Sequence, residues 1–148
     1  MRYLGLDLGT RTLGLSVSDR TNILSTPLKT LRFSTNHPED TLKELEIIVK
    51  EKNITDFVLG LPKNMDNSCG FAAERSYHFK AILEAHFSFP IHLVDERLSS
   101  VEAENILIST DMSRMKRKKV VDNVASAIIL DTFLKERRNN DERDAKEQ

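Results

Sequence analysis

An α/β fold, an antiparallel N-terminal meander followed by alternating helices and strands, is predicted by three features of the chain. Apolar side chains alternate on either side of a turn at Gly9–Thr12; Asp56–Leu61 is a short, continuously apolar run behind a helix pattern; a second helix pattern separates that run from Ile91–Asp95. The 148 residues suit one domain able to bury a layered core without staples.

Composition narrows the setting. Cys69 is the only cysteine, no apolar run reaches membrane-spanning length, and the N-terminus has no signal-peptide pattern. A soluble, reducing, cytoplasmic environment without a membrane partner is expected. The net charge of -1 favours no polyanionic partner, so a nucleic-acid surface must come from local segregation of charge, as in Arg114–Lys119, RMKRKK.

In the first strand, Leu4, Leu6 and Leu8 should face the core while Tyr3, Gly5 and Asp7 point the other way. Gly9, Thr10 and Arg11 turn the chain, and Leu13, Leu15 and Val17 resume the alternation. Ser25–Phe33 suits a third strand, placed at an edge or strand start by Pro27. Pro38 sits in the first turn of a helix with apolar stripe Leu42, Leu45, Ile48 and Val49, which Asn53 closes. Asp56–Leu61 then reads as a central strand covered on both faces.

Residues 62–70 are loop by composition, and helix periodicity from Phe71 to Phe87 places Phe79, Ile82, Leu83 and Phe87 on one face. After Pro90 comes the strand Ile91–Asp95. Ser99 and Glu102 form a capping box, which assigns Glu102 to helix capping. The last helix is expected from Val121 to about Lys135, with Asp122, Ala125, Ser126, Ile129 and Phe133 on one face. From Arg137 to Gln148 the chain is polar and without apolar anchors, so the domain should span residues 1–137, with 138–148 a disordered charged tail.

Three carboxylates stand at the edges of apolar patterns: Asp7 inside a strand, Glu96 just past one, and Asp122 in the first turn of a helix. Each has an ordinary structural use, as a turn acceptor, an ion-pair partner of Arg97 or a helix cap. Together they form the kind of oxygen-donor set that holds Mg²⁺ or Mn²⁺ and supports two-metal chemistry. The four histidines show no zinc-ligand spacing.

Four ordered blocks, LGLDLGTRTLGLSVSD, VLGLPKNMD, VDERLSSVEA and KKVVDNVASAIIL, closely resemble the YqgF/RuvX family of bacterial RNase H-like proteins. The resemblance implies a mixed five-stranded sheet, an antiparallel meander followed by parallel strands, with helices on its faces. It also implies a metal-dependent nuclease acting on the 5′ end of pre-16S rRNA during ribosome biogenesis, or alternatively on Holliday junctions. The implied partners are pre-rRNA or branched DNA and pre-ribosomal particles; monomer and homodimer stay open.

Carried over by motif, the catalytic and metal-binding acids fall on Asp7, Glu96 and Asp122, with Mg²⁺ or Mn²⁺ as cofactor. Asn64 and Asp66 become secondary contacts, and Asn67 stands where the family usually has Gly. Arg11, Lys63, Arg97, Arg114, Lys116, Arg117, Lys118 and Lys119 are the candidate phosphate-gripping cations. Two other classes fit less well or less fully. The D-x-G-T opening also begins the phosphate loop of actin-like ATPases, but those close two related domains around the nucleotide. A non-catalytic RNA-binding factor could retain the same acids.

Overall fold

The computed structural model describes residues 1–22, 24–62, 70–95 and 125–138. Strands β1 (Tyr3–Leu8), β2 (Thr12–Ser18) and β3 (Ser25–Arg32) form an antiparallel meander; β4 (Asp56–Leu61) and β5 (Ile91–Asp95) add in parallel on the other side of β1. The sheet order is β3-β2-β1-β4-β5. It matches the expected mixed five-stranded architecture, and β3, with Pro27, is an edge strand.

Helices α1 (Leu42–Lys52) and α2 (Phe71–His86) cover one face of the sheet. Their Leu45, Ile48, Phe79 and Leu83 join Leu4, Leu6, Leu13, Leu15, Phe57 and Leu59 in one buried cluster. Helix α3, residues 125–138, covers the other face, where Ile129, Leu130 and Leu134 pack on Tyr3, Val58 and Val94. The alternation of β4 explains the partition, because Phe57 and Leu59 enter the first cluster while Val58 enters the second. All six residues of β4 are buried, as its continuous apolar run predicts.

Three local expectations are corrected. The Tyr3 face of β1 is also core, with Tyr3 2% exposed, because α3 covers it. The chain from Pro38 begins as a 3-10 turn, Pro38–Thr41, before α1; Thr41 Oγ1 donates to the Pro38 carbonyl (2.7 Å), and Pro38 and Thr41 are both buried. The last helix continues through residue 138 rather than ending near Lys135. Arg137 therefore belongs to a folded element, its guanidinium 5.9 Å from the centre of the Tyr3 ring. Asn53 closes α1 as predicted, in the left-handed conformation (φ 55°) that asparagine tolerates.

Candidate active site

Because β1, β4 and β5 run parallel, their C-terminal ends meet at one edge of the sheet, where Leu8, Leu61 and Asp95 are the last strand residues. Asp7 sits at this edge, half-buried, on the face that carries Tyr3 and Gly5. Its partner on β2 is Gly14, and β4 continues from Leu59, the partner of Leu6, into Gly60. Glycine at both places removes the side chains that would crowd the carboxylate from the sides. Asp95 follows Val94, which faces α3, so alternation turns Asp95 to the opposite face from Asp7.

Helix α3 is fastened beside this carboxylate by a buried serine pair. Ser126 Oγ donates to the Gly5 carbonyl (2.9 Å), Ser16 Oγ donates to the Ser126 carbonyl (2.9 Å), and the two hydroxyl oxygens lie 2.9 Å apart. Both serines are fully buried. Farther along α3, Ser25 donates its backbone N–H to Asp131 Oδ1 (2.9 Å) and its hydroxyl to the Ala127 carbonyl (2.6 Å). Sequence pattern singled out Ser126 only as part of a helix face and missed Gly5 and Ser16 as its seat. Gly5 and Ser16 are visible in the sequence as small residues within apolar strands, but that they pair in register and seat Ser126 appears only in the structure.

Arg11 lies in the β1–β2 turn at the same sheet edge, exposed, with Nε donating to Thr35 Oγ1 (2.8 Å). The segment after β3 braces that turn through Phe33 N–H to the Arg11 carbonyl (2.9 Å) and Asn36 N–H to the Thr10 carbonyl (3.1 Å). Nearby, His37 Nδ1 and Glu39 Oε1 are 2.9 Å apart. Their hydrogen bond, then their charge attraction, raises the His37 pKa, and the same hydrogen bond is the main cause of lowering Glu39.

Of the predicted site residues, the described structure contains Asp7 and Arg11 and brings both to one edge of the sheet. Lys63, Asn64, Asp66, Glu96, Arg97, Arg114, Lys116, Arg117, Lys118, Lys119 and Asp122 lie outside the described residues, as do Asn67 and Cys69. Among the described residues, no three His, Cys, Asp or Glu side chains group as a metal site, and no helix is long and apolar enough to cross a membrane. A partly exposed carboxylate between glycine neighbours is a fitting hard-oxygen ligand for Mg²⁺ or Mn²⁺.

Comparison with known proteins bears on the family and the fold. A chain from Geobacillus kaustophilus, named "Putative pre-16S rRNA nuclease", is 46% identical over 138 residues, covering 93% of this chain and 100% of the relative. One of the same name from Bacillus subtilis is 41% identical over 134 residues, 90% of this chain and 97% of that one. Among solved structures, T. thermophilus RuvC in complex with a Holliday junction substrate superposes with a TM-score of 0.59 at 12% identity, covering 94% and 96% of the two chains. The Fowlpox virus resolvase bound to Holliday junction DNA gives 0.52 at 12% identity, covering 92% and 98%. At that identity the likeness concerns the fold, which is RNase H-like. The family model described as RuvX, Holliday junction resolvase, matches residues 1–136, and with relatives above 40% identity over nearly their whole length, the chain belongs to the RuvX family.

Proposed function

We propose that the protein is a metal-dependent nuclease that hydrolyses phosphodiester bonds in structured RNA, with the 5′ end of pre-16S rRNA as its substrate. The observation that carries this reading is the position of Asp7, a half-buried carboxylate between glycine neighbours at the C-terminal edge of three parallel strands. In the sequence, β5 leads directly into Glu96, and Asp122 precedes by four residues the Ser126 that anchors α3 on Gly5. These relations support Asp7, Glu96 and Asp122 as one acidic set, and strand alternation removes Asp95 from it.

A bound Mg²⁺ or Mn²⁺ would stabilise developing negative charge on the phosphate and lower the pKa of water. The chain's own contribution is positional. Asp7 would offer a fixed anionic oxygen without reorganisation, because β1 is held by β2, β4 and α3. Arg11, with Lys63, Arg97 and the Arg114–Lys119 run, would neutralise the flanking phosphates, a salt-sensitive grip that carries no sequence information. Asn64 and Asp66 would contact the substrate beside the acids.

The names of the 41–46% identical relatives favour RNA over a DNA junction as the substrate. Cleavage of pre-16S rRNA and of a four-way DNA junction should be measured with Mn²⁺ for the parent and Asp7→Asn. The parent is expected to cut the RNA, and Asp7→Asn to lose at least a hundredfold in rate, on the order of what one well-placed electrostatic group contributes, while still binding RNA. Equal turnover by the two proteins would remove Asp7 from the reaction, and cleavage of the junction alone would change the substrate.

A further inference from the structure

On the α1/α2 side of the sheet, a cavity of about 620 Å³ opens beside the end of β1, with Leu8, Gly9, Phe33 and Phe71 among its walls. Leu8 and Gly9 are the two residues that follow Asp7, so the cavity begins where the strand carrying that carboxylate ends. Phe71, the first residue of α2, is 83% exposed. Glu74, Arg75 and His78 line the same cavity and stand at i+3, i+4 and i+7 from Phe71, one face of the first two helical turns. Ala73, Ser76, Phe79 and Leu83 form the buried face of the helix. Phe71, Glu74 and His78 are exposed and stand outside that buried face.

Arg75 gives the second observation. Its Nε is buried and has no hydrogen-bond partner among the described residues. A ligand in the cavity would meet the accessible part of this side chain, whose guanidinium carries further N–H donors. Asn36 supplies both a donor and an acceptor to the same cavity, and Glu74 an acceptor. Aromatic walls with mixed donors and acceptors match a nucleobase, which offers a flat apolar face and a polar edge. An apolar peptide segment would leave Asn36, Glu74 and Arg75 without partners. The volume lies in the range of small-ligand pockets and admits one nucleotide.

We propose that this cavity, which opens at the same sheet edge as Asp7 but on the other face, receives one unpaired base of a strand that crosses that edge, stacked on Phe71 with Arg75 and Asn36 at its polar edge. A base paired within a duplex keeps both of its faces stacked and cannot enter. The protein would therefore select strands with an unpaired nucleotide near the cleavage position, whether RNA or DNA. This selection rests on the nuclease reading above and adds a substrate feature to it.

The experiment is equilibrium binding of the full chain in EDTA to two labelled RNA probes, a blunt duplex and the same duplex with a three-nucleotide overhang, with DNA versions alongside. The parent is expected to prefer the overhang, and Phe71→Ala to reduce that preference about tenfold, as loss of one stacking platform does. Phe71→Trp should keep the preference, and because the chain has no tryptophan of its own, its emission should be quenched by the overhang probe alone. Equal affinity of the parent for both probes, or an unchanged preference in Phe71→Ala, would overturn the pocket and leave the nuclease reading intact. Loss of a dimer in Phe71→Ala with no change in preference would assign the cavity to a second copy of the chain. Failure to bind any probe would end both readings.

Discussion

At Gly5, helix α3 packs directly on the sheet. A Cβ there would lie 2.3 Å from Ser16 Oγ, 3.0 Å from Leu130 Cβ and 3.1 Å from the Ser126 carbonyl oxygen. Ser16 cannot turn away without breaking its bonds to Ser126, so overpacking falls on the α3 contact itself. Gly5→Ala is expected to cost about 1–3 kcal/mol, read as a lower midpoint in urea. A second residue-scale expectation concerns His37. Its pKa is raised by Glu39, so the pair's contribution is complete below the unfolded imidazole pKa and fades as pH rises through the folded one. For Glu39, lowered by His37, the contribution holds above the unfolded carboxylate pKa and is lost as pH falls through the folded one. The pair is thus favourable at mildly acidic pH. Both groups are exposed, so the effect on stability is small, and an NMR titration is the better probe: Glu39→Gln should lower the His37 midpoint, and an unchanged midpoint would remove the pair as its cause.

At the scale of elements, α2 shows which features were legible in the sequence. Its buried side, with Phe79 and Leu83, follows the 3.6-residue period and was predictable. Phe79→Ala should cost about 3–5 kcal/mol, measured by chemical denaturation, whereas a cost below 1 kcal/mol would mean that the side collapses around the gap. The other side was not legible, because Phe71, Glu74, Arg75 and His78 share a cavity only once β1, the segment after β3 and α2 are brought together. The same reason hid the seat of α3. A glycine and a serine in adjacent strands give no periodic signal, and their use depends on Ser126, more than 100 residues away in the chain. The strands and helices themselves followed from local pattern. The 3-10 turn at Pro38–Thr41 and the extension of α3 to residue 138 did not, since burial of Thr41 and the packing of Arg137 on Tyr3 are tertiary effects.

For the whole molecule, sequence pattern nominated Asp7, and the sheet order explains its position at the junction of the antiparallel and parallel halves. If Asp7, Glu96 and Asp122 share one cleft, their charges repel when no cation is present. Asp7→Asn is then expected to raise the melting temperature in EDTA, an exchange of activity for stability. Mg²⁺ should stabilise the parent by about 2.7 kcal/mol at a concentration one hundredfold above Kd and stabilise Asp7→Asn less. A lower melting temperature in EDTA, with identical responses to Mg²⁺, would return Asp7 to the role of a turn acceptor. The hydrogen bond from Ser126 to Gly5 spans 121 positions, nearly the whole chain. It also sets an order on biosynthesis. The meander needs only local pairing and can form while the rest of the chain is still being made. The face of Tyr3, Val58 and Val94, however, stays uncovered until α3 has been synthesised and docked. A nascent chain would thus carry Asp7 on an unfinished layer, and the strand that bears it would gain its second cover only once residues 125–138 have been made and docked.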